Sequence, residues 1–365
     1  MTGNTLGWVI VAFVLYLLMM IAIGAFYAKG NNNSEDYFLG GRKLNGFVAA
    51  LSAQASDMSG WLLMGLPGAI YLTGVGGDGW IAIGLFIGTT LNWLFIATKL
   101  RRYTIRANNS VTLPTYFENR FHDEKKVLMA VSSITIVVFF LVYCASALSA
   151  GGQLFESVFG IDYHVALTIG ALVVLVYTFL GGFTAVCVTD FIQGMLMLVG
   201  ILAVPLFAYH FLTTGGTTLS AGLEASGADS ANFLNLMKNG DGSNNIISVI
   251  SGLGWGLGYF GMPHILVRFM AVRDEKEMTK SKATAISWVA LSLGFAVFIG
   301  ILGRAYLPEL VNGNNEKVFI EMIKKVFTVE MRAPFIAGLF LCGILAAIMS
   351  TADSQLLVSA SSVAE

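Results

Sequence analysis

A bundle of membrane-spanning α-helices is the fold that this sequence predicts, and three observations predict it. Only 12% of its 365 residues are charged while 56% are hydrophobic, against about 25% charged in a soluble domain. Apolar runs long enough to cross a bilayer, roughly 20 residues each, recur along the whole chain. The runs do not alternate with period two, which favours helices over a β-barrel. The net charge of −1 leaves no basic footprint for nucleic acid.

Nine spans are expected, near 6–28, 46–72, 79–99, 127–155, 163–183, 188–212, 246–270, 284–306 and 334–360. The first has no basic residue before it and no small-residue cleavage site after it, so it reads as a span and not a signal peptide. The second carries Gly60, Gly65 and Pro67 beside a polar cluster. The connection 213–245, rich in Gly, Ser and Asn, reads as a long loop. The seventh span contains GLGWGLGYFGMPHIL, interrupted by Gly252, Gly254, Gly256, Gly258, Gly261 and Pro263. Two interrupted spans at corresponding positions point to a transporter site between inverted repeats. The competing reading is close helix packing, with Gly254 and Gly258 as the small face; it accounts for glycines but not for the adjoining polar cluster. Before the last span, NEKVFIEMIKKVFT at 315–328 has the spacing of a short amphipathic helix. Of the 21 Lys and Arg, all but Lys238, Arg304, Lys317, Lys324, Lys325 and Arg332 fall in connections on one side, Lys29 being the first. Positive charge marks the cytoplasmic side, so the N-terminus is expected outside.

Three acids sit in or beside these spans. Asp57 lies in LSAQASDMSGWLLMG, Asp190 near the start of the sixth span, and Asp353 in CGILAAIMSTADSQLL. A carboxylate at mid-membrane needs a partner, and these segments hold no Lys or Arg apart from Arg332 just before the last. A mobile cation is therefore expected, with a proton as the rival. Hydroxyls favour sodium: Ser52, Ser56 and Ser59 flank Asp57, and Ser350, Thr351 and Ser354 flank Asp353. Hard cations take such oxygens together with carbonyls freed at a helix break. Ser350, Asp353 and Ser354 share one helical face. Against this, Asp190 with Gln193 three residues on fits a helix cap, and Asp353 could face water.

Trp255 and Tyr259 lie four apart beside the break at Gly261 and Pro263, and Tyr143 is the hydroxyl-bearing ring of the fourth span. Such a pocket suits a small zwitterion with an aliphatic body, its carboxylate meeting backbone N–H groups around Ser59 and Gly60. The competing reading is packing or interfacial rings. GLGYFG at 256–261 matches a dinucleotide fingerprint but lacks the strand and soluble βαβ unit it needs. Cys144, Cys187 and Cys342 lie far apart and suggest neither disulfide nor zinc, and no nucleophile, base and oxyanion set of an enzyme converges.

ALSAQASDMSGWLLMGLPGA at 50–69, GWGLGYFGMPHIL at 254–266 and AAIMSTADSQLLVSASS at 346–362, with DYFLGGRKL and LPTYFENRF, resemble the sodium/solute symporter family. The second motif resembles the members that carry L-proline. The resemblance implies an all-α polytopic membrane protein with a LeuT-like inverted-repeat fold. One extra N-terminal helix (6–28) would precede a first five-helix repeat (46–212) and a partial second repeat (246–365), in one transporter domain that is C-terminally incomplete after nine transmembrane helices. It implies a sodium site from Ala55 and Met58 carbonyls, Ala347, Ser350 and Thr351, with Asp57 tied to sodium binding. Asp190 matches an ion-coupling position, and a second sodium site known in some relatives would fall at Asp190, Asp353 and Ser354, though Asp353 replaces a serine there. Tyr143, Trp255, Tyr259 and Pro263 match proline positions. Arg42 matches a coupling position, its competing reading being an ordinary inside charge. The implied activity is sodium-coupled import of L-proline across a bacterial cytoplasmic membrane, with Na+ as coupling ion. Another small solute (a monocarboxylate, a vitamin acid or a sugar) and a symporter-like sensory domain are the alternatives.

Overall fold

A computed structural model describes residues 3–28 and 33–364; Lys29 lies outside them. Among the described residues every regular element is helical. α1 (Gly3–Tyr27) is followed by the short α2 (Ser34–Leu39), which Asn33 caps by accepting from the Asp36 N–H. A single helical turn, Gly40–Arg42, leads into α3 (Gly46–Gly60), capped by Asn45. A π-helical turn, Trp61–Gly65, joins α3 to α4 (Leu66–Thr73). α5 (Val75–Leu91) and α6 (Ala97–Arg106) form one long rod through a second π-helical turn, Asn92–Ile96. α7 (Leu113–Phe121) precedes α8 (Val127–Phe159) and α9 (Tyr163–Thr214).

The loop expected at 213–245 holds two short helices, α10 (Leu219–Ala225) and α11 (Ser230–Phe233). α12 (Ile246–Gly254) runs into a 3-10 stretch, Trp255–Gly261, and then α13 (Pro263–Ala271), which has Pro263 in its first turn. α14 (Glu275–Tyr306), the short α15 (Val318–Ile323) and α16 (Pro334–Ala364) complete the chain.

Among the described residues six helices are long and apolar enough to cross a membrane, and α12 with α13 makes a seventh, bent by 47°. α9 is 52 residues long, about 78 Å if straight, more than twice a bilayer's hydrocarbon thickness of about 30 Å. It divides at Gly182, whose φ of 61° and ψ of −163° leave the helix in a conformation open to glycine. The break falls ahead of the expected gap at 184–187. Asp190 is therefore eight residues inside the second segment and caps nothing.

α16 is the central post. It packs on α1, α3, α8 and α9 and is buried on nearly all sides, so its serines, threonine and Asp353 face protein. Asp353 is fully buried, which removes the water-facing reading. α5 lies against α12 and the 3-10 stretch through paired glycines. A Cβ on Gly84 would come within 2.3 Å of the Gly252 carbonyl, and one on Gly88 within 2.2 Å of the Gly256 carbonyl. The packing face is thus Gly252 and Gly256; Gly254 and Gly258, which the competing reading put there, meet open space.

Candidate functional site

The breaks in both interrupted spans line one cavity and meet where Trp61 stacks on Trp255. In α3, Ser59 takes a φ of 49° and a ψ of −174°, strained for a residue with a side chain. Its hydroxyl accepts from the Trp61 N–H at 3.1 Å, sharing that amide with the Met58 and Ser59 carbonyls at the break. Across from it lies the 3-10 stretch, where Asn92 Nδ2 donates to the Tyr259 carbonyl at 2.9 Å.

Between the breaks lies a cavity of about 560 Å³, within the 300–1,000 Å³ typical of small-molecule sites. Asp57, Ser59, Gly60, Tyr143, Trp255 and Tyr259, from three separate stretches of sequence, all line it. Asp57 is nearly buried, and its Oδ2 finds no partner among the protein groups. Pro263 does not line the cavity; it starts α13 one residue past Met262, which does. Sequence reasoning missed Trp61, Ser146, Gln153 and Glu316 in this lining. Ser146 and Gln153 follow Tyr143 by three and ten residues on α8, a helical stripe that could have been read. Glu316 arrives from a distant loop and could not.

Behind the cavity, α16 meets the carbonyls of α3. Ser350 Oγ donates to the Ala55 carbonyl at 2.9 Å, and Thr351 Oγ1 donates to the Ser56 carbonyl at 3.0 Å. Each hydroxyl also bonds within α16, Ser350 to Ala346 and both to Ala347. The Met58 carbonyl faces the Trp61 N–H at the break. The result is a group of neutral oxygens from two helices, the donor set that a hard monovalent cation takes; hydroxyl protons can rotate aside to admit it. Among the described residues no cluster of three or more His, Cys, Asp or Glu could hold a metal ion.

The expectation that the acids lack a basic partner fails at Asp190. Arg268, in the last turn of α13 and fully buried, donates Nη2 to Asp190 Oδ2 at 3.0 Å. Its Nε reaches Ser52 Oγ at 3.0 Å and its Nη2 reaches Ser354 Oγ. Ser52 Oγ also donates to Asp190 Oδ2 at 2.7 Å. Asp353 instead accepts from Tyr177 at 2.6 Å and from Ser354 at 3.1 Å. The partner was hidden because Arg268 is 78 residues from Asp190, on another broken helix. Asp190, Asp353 and Ser354 do come together, around a guanidinium.

Arg42 is no ordinary surface charge. It is only 9% exposed, with a φ of 54°, and donates to the Met270 carbonyl at 2.8 Å, the Ser110 carbonyl at 2.8 Å, Asn109 Oδ1 and Thr104 Oγ1. Its guanidinium thereby satisfies an orphan carbonyl at the end of α13. Burial lowers Arg42 to about 10, so it stays charged at neutral pH. Beside it, the Leu44 N–H donates to the Ala271 carbonyl and the Arg273 N–H to the Leu44 carbonyl, tying the approach to α3 to the exit from α13.

Two helix breaks lining one cavity within a bundle of apolar spans define a multi-pass membrane transporter, and residues 37–365 match the Sodium:solute symporter family. The chain belongs to that family, whose members move solutes and are not enzymes. It is 45% identical over 362 residues to the sodium/proline symporter of Salmonella typhimurium, spanning 98% of this chain and 69% of that one. Identity is 44% over 362 residues to the sodium/proline symporter of Escherichia coli, with the same coverage. To that of Staphylococcus aureus it is 43% over 358 residues, 97% of this chain and 67% of that one. Among solved structures, a substrate-bound, outward-open Na+-coupled sialic acid symporter superposes with a TM-score of 0.80 over 97% of this chain and 73% of its own, at 21% identity. The fold is shared.

Proposed function

We propose that this chain is the sodium-driven importer of L-proline that its sodium/proline symporter relatives indicate, working by alternating access in a bacterial cytoplasmic membrane. The observation that carries the reading is the single cavity where Asp57, Tyr143, Trp255 and Tyr259 meet two broken helices, backed by the Ser350 and Thr351 oxygens.

Nine crossings follow if α9 counts as two at Gly182 and each interrupted pair as one. The first repeat is then 46–212 and the partial second 246–365, after the extra helix 6–28, with the N-terminus outside. In this orientation the cavity opens past Gln153 toward the loop of Glu316 on the outer side. The buried Arg268 network and the Arg42 clamp lie toward the inner side, so the conformation faces outward.

Sodium enters first. It takes the Ala55 and Met58 carbonyls with Ala347, Ser350 and Thr351, and Asp57 neutralises its charge. Held between α3 and α16, it keeps the outward arrangement. Proline then docks with its carboxylate toward the amides at Ser59 and Gly60 and its ring among Tyr143, Trp255 and Tyr259, while Pro263 holds the start of α13 in place. Inward opening requires α13 to move, and hence the bonds of Arg268 and Arg42 to be broken; that is the coupling role of Arg42. Asp190, Asp353 and Ser354 become a second cation site once Arg268 withdraws. One charge crossing 100 mV supplies about 2.3 kcal/mol, a useful gradient before any concentration ratio.

Equilibrium binding of labelled L-proline to the purified protein, in sodium and in potassium, tests the reading. Binding in sodium alone is expected. Equal binding in both salts would remove sodium coupling, and none in either would remove proline.

A further inference from the structure

Trp61 opens the π-helical turn immediately after the break in α3. It lies four residues past Asp57, on the far side of the Ser59 break, and both residues line the cavity. Its indole crosses the gap between the broken helices and packs on Trp255, with ring centroids 5.7 Å apart and planes 23° from parallel. Both rings line the cavity, and Trp255 remains 50% exposed. Gly65 makes the pose possible: a Cβ there would come within 2.5 Å of Trp61 Cδ1. With hydrogen at that position the ring lies along the helix and reaches its partner.

The stacked pair Trp61 and Trp255 therefore bridges the two interrupted spans, in the cavity that Asp57 and Tyr259 also line. The lining contains the carboxylates of Asp57 and Glu316 and no Lys or Arg. Such a lining admits a cation and gives it an electron-rich indole surface, which attracts ammonium groups. The same surface buries the CH groups of a compact saturated ring. A cyclic secondary ammonium meets both conditions; an acyclic amino acid of similar size presents less rigid apolar area.

We propose that Trp61 is a substrate-contacting, specificity-determining residue, completing with Trp255 an indole platform for the cationic ring of a small cyclic amino acid. This rests on the proline reading above and names how the site tells a ring from an open chain.

Labelled L-proline binding to the purified protein in saturating sodium, with competition by unlabelled proline and by N-methylalanine, is the test. Trp61→Ala should weaken proline binding about tenfold or more and lose the preference for the ring, whereas Trp61→Phe should retain most of both. The sodium needed for half-maximal thermal stabilisation without proline should not move in either variant, a readout that separates contact from misfolding. Unchanged affinity and ring preference in Trp61→Ala overturn the platform alone. A parallel loss of sodium response in both variants assigns Trp61 a structural role and overturns it as well. Absence of sodium-dependent proline binding by the wild type overturns the functional reading and the platform with it.

Discussion

Asp57 could be read from the sequence because a carboxylate in an apolar run must be explained by something the run itself does not contain. Ser350 and Thr351 stood out for a related reason, as hydroxyls flanking Asp353 in an otherwise aliphatic segment. Replacing Asp57 with Asn should raise the sodium concentration for half-maximal proline binding far more than it alters proline affinity at saturating sodium; titrating sodium at fixed proline checks this. Ser350→Ala and Thr351→Ala should each lower sodium affinity about tenfold or more, the worth of one ligand to a charged group. Recovery of binding at acid pH would point to protons. Arg268 makes a different kind of prediction. Removing it leaves Asp190 buried and unpaired, so Arg268→Gln should destabilise the protein by about 3–5 kcal/mol, and adding Asp190→Asn should restore much of that. Thermal unfolding of the single and double variants in detergent decides it, and simple additivity would mean the pair is not coupled.

Helix breaks were visible as clusters of Gly and Pro, but which glycine does what was not. Gly252 and Gly256 press against Gly84 and Gly88, while Gly254 and Gly258 face open space; the sequence offers both pairs at the same spacing, and the rotation of the helix chooses between them. Gly88→Ala should therefore cost about 1–3 kcal/mol by overpacking and push the Tyr259 stretch away from α5, weakening proline binding. Gly254→Ala should be tolerated. A binding and melting comparison of the two variants checks the assignment, and equal damage from both would refute it. The break in α9 was misplaced by a few residues for the same reason. One glycine, Gly182, turns the chain by its φ alone, with no proline or polar cluster to advertise it.

Taken whole, the molecule gathers its cavity between the two interrupted spans, with Gln153 and Glu316 in the lining. The three cysteines are buried, so an introduced thiol should be read against a quiet background. Ser146→Cys should react with a membrane-impermeant thiol reagent applied from outside in sodium, and proline should slow the reaction. Reaction from the inner face alone would reverse the orientation inferred from Lys and Arg.

The sequence by itself determined the helical membrane class, the two interrupted spans and part of the cavity lining, Asp57, Ser59, Gly60, Tyr143, Trp255 and Tyr259 among it. Each is a local conflict between a residue and its neighbours: an acid among aliphatics, glycines within a span, hydroxyls on one face. Only the tertiary structure decided that Asp190 answers to Arg268, that Arg42 clamps the end of α13, and that Trp61 and Glu316 reach the cavity. These pairings join residues tens to hundreds of positions apart, and their energies come from burial and contact, which no single segment carries.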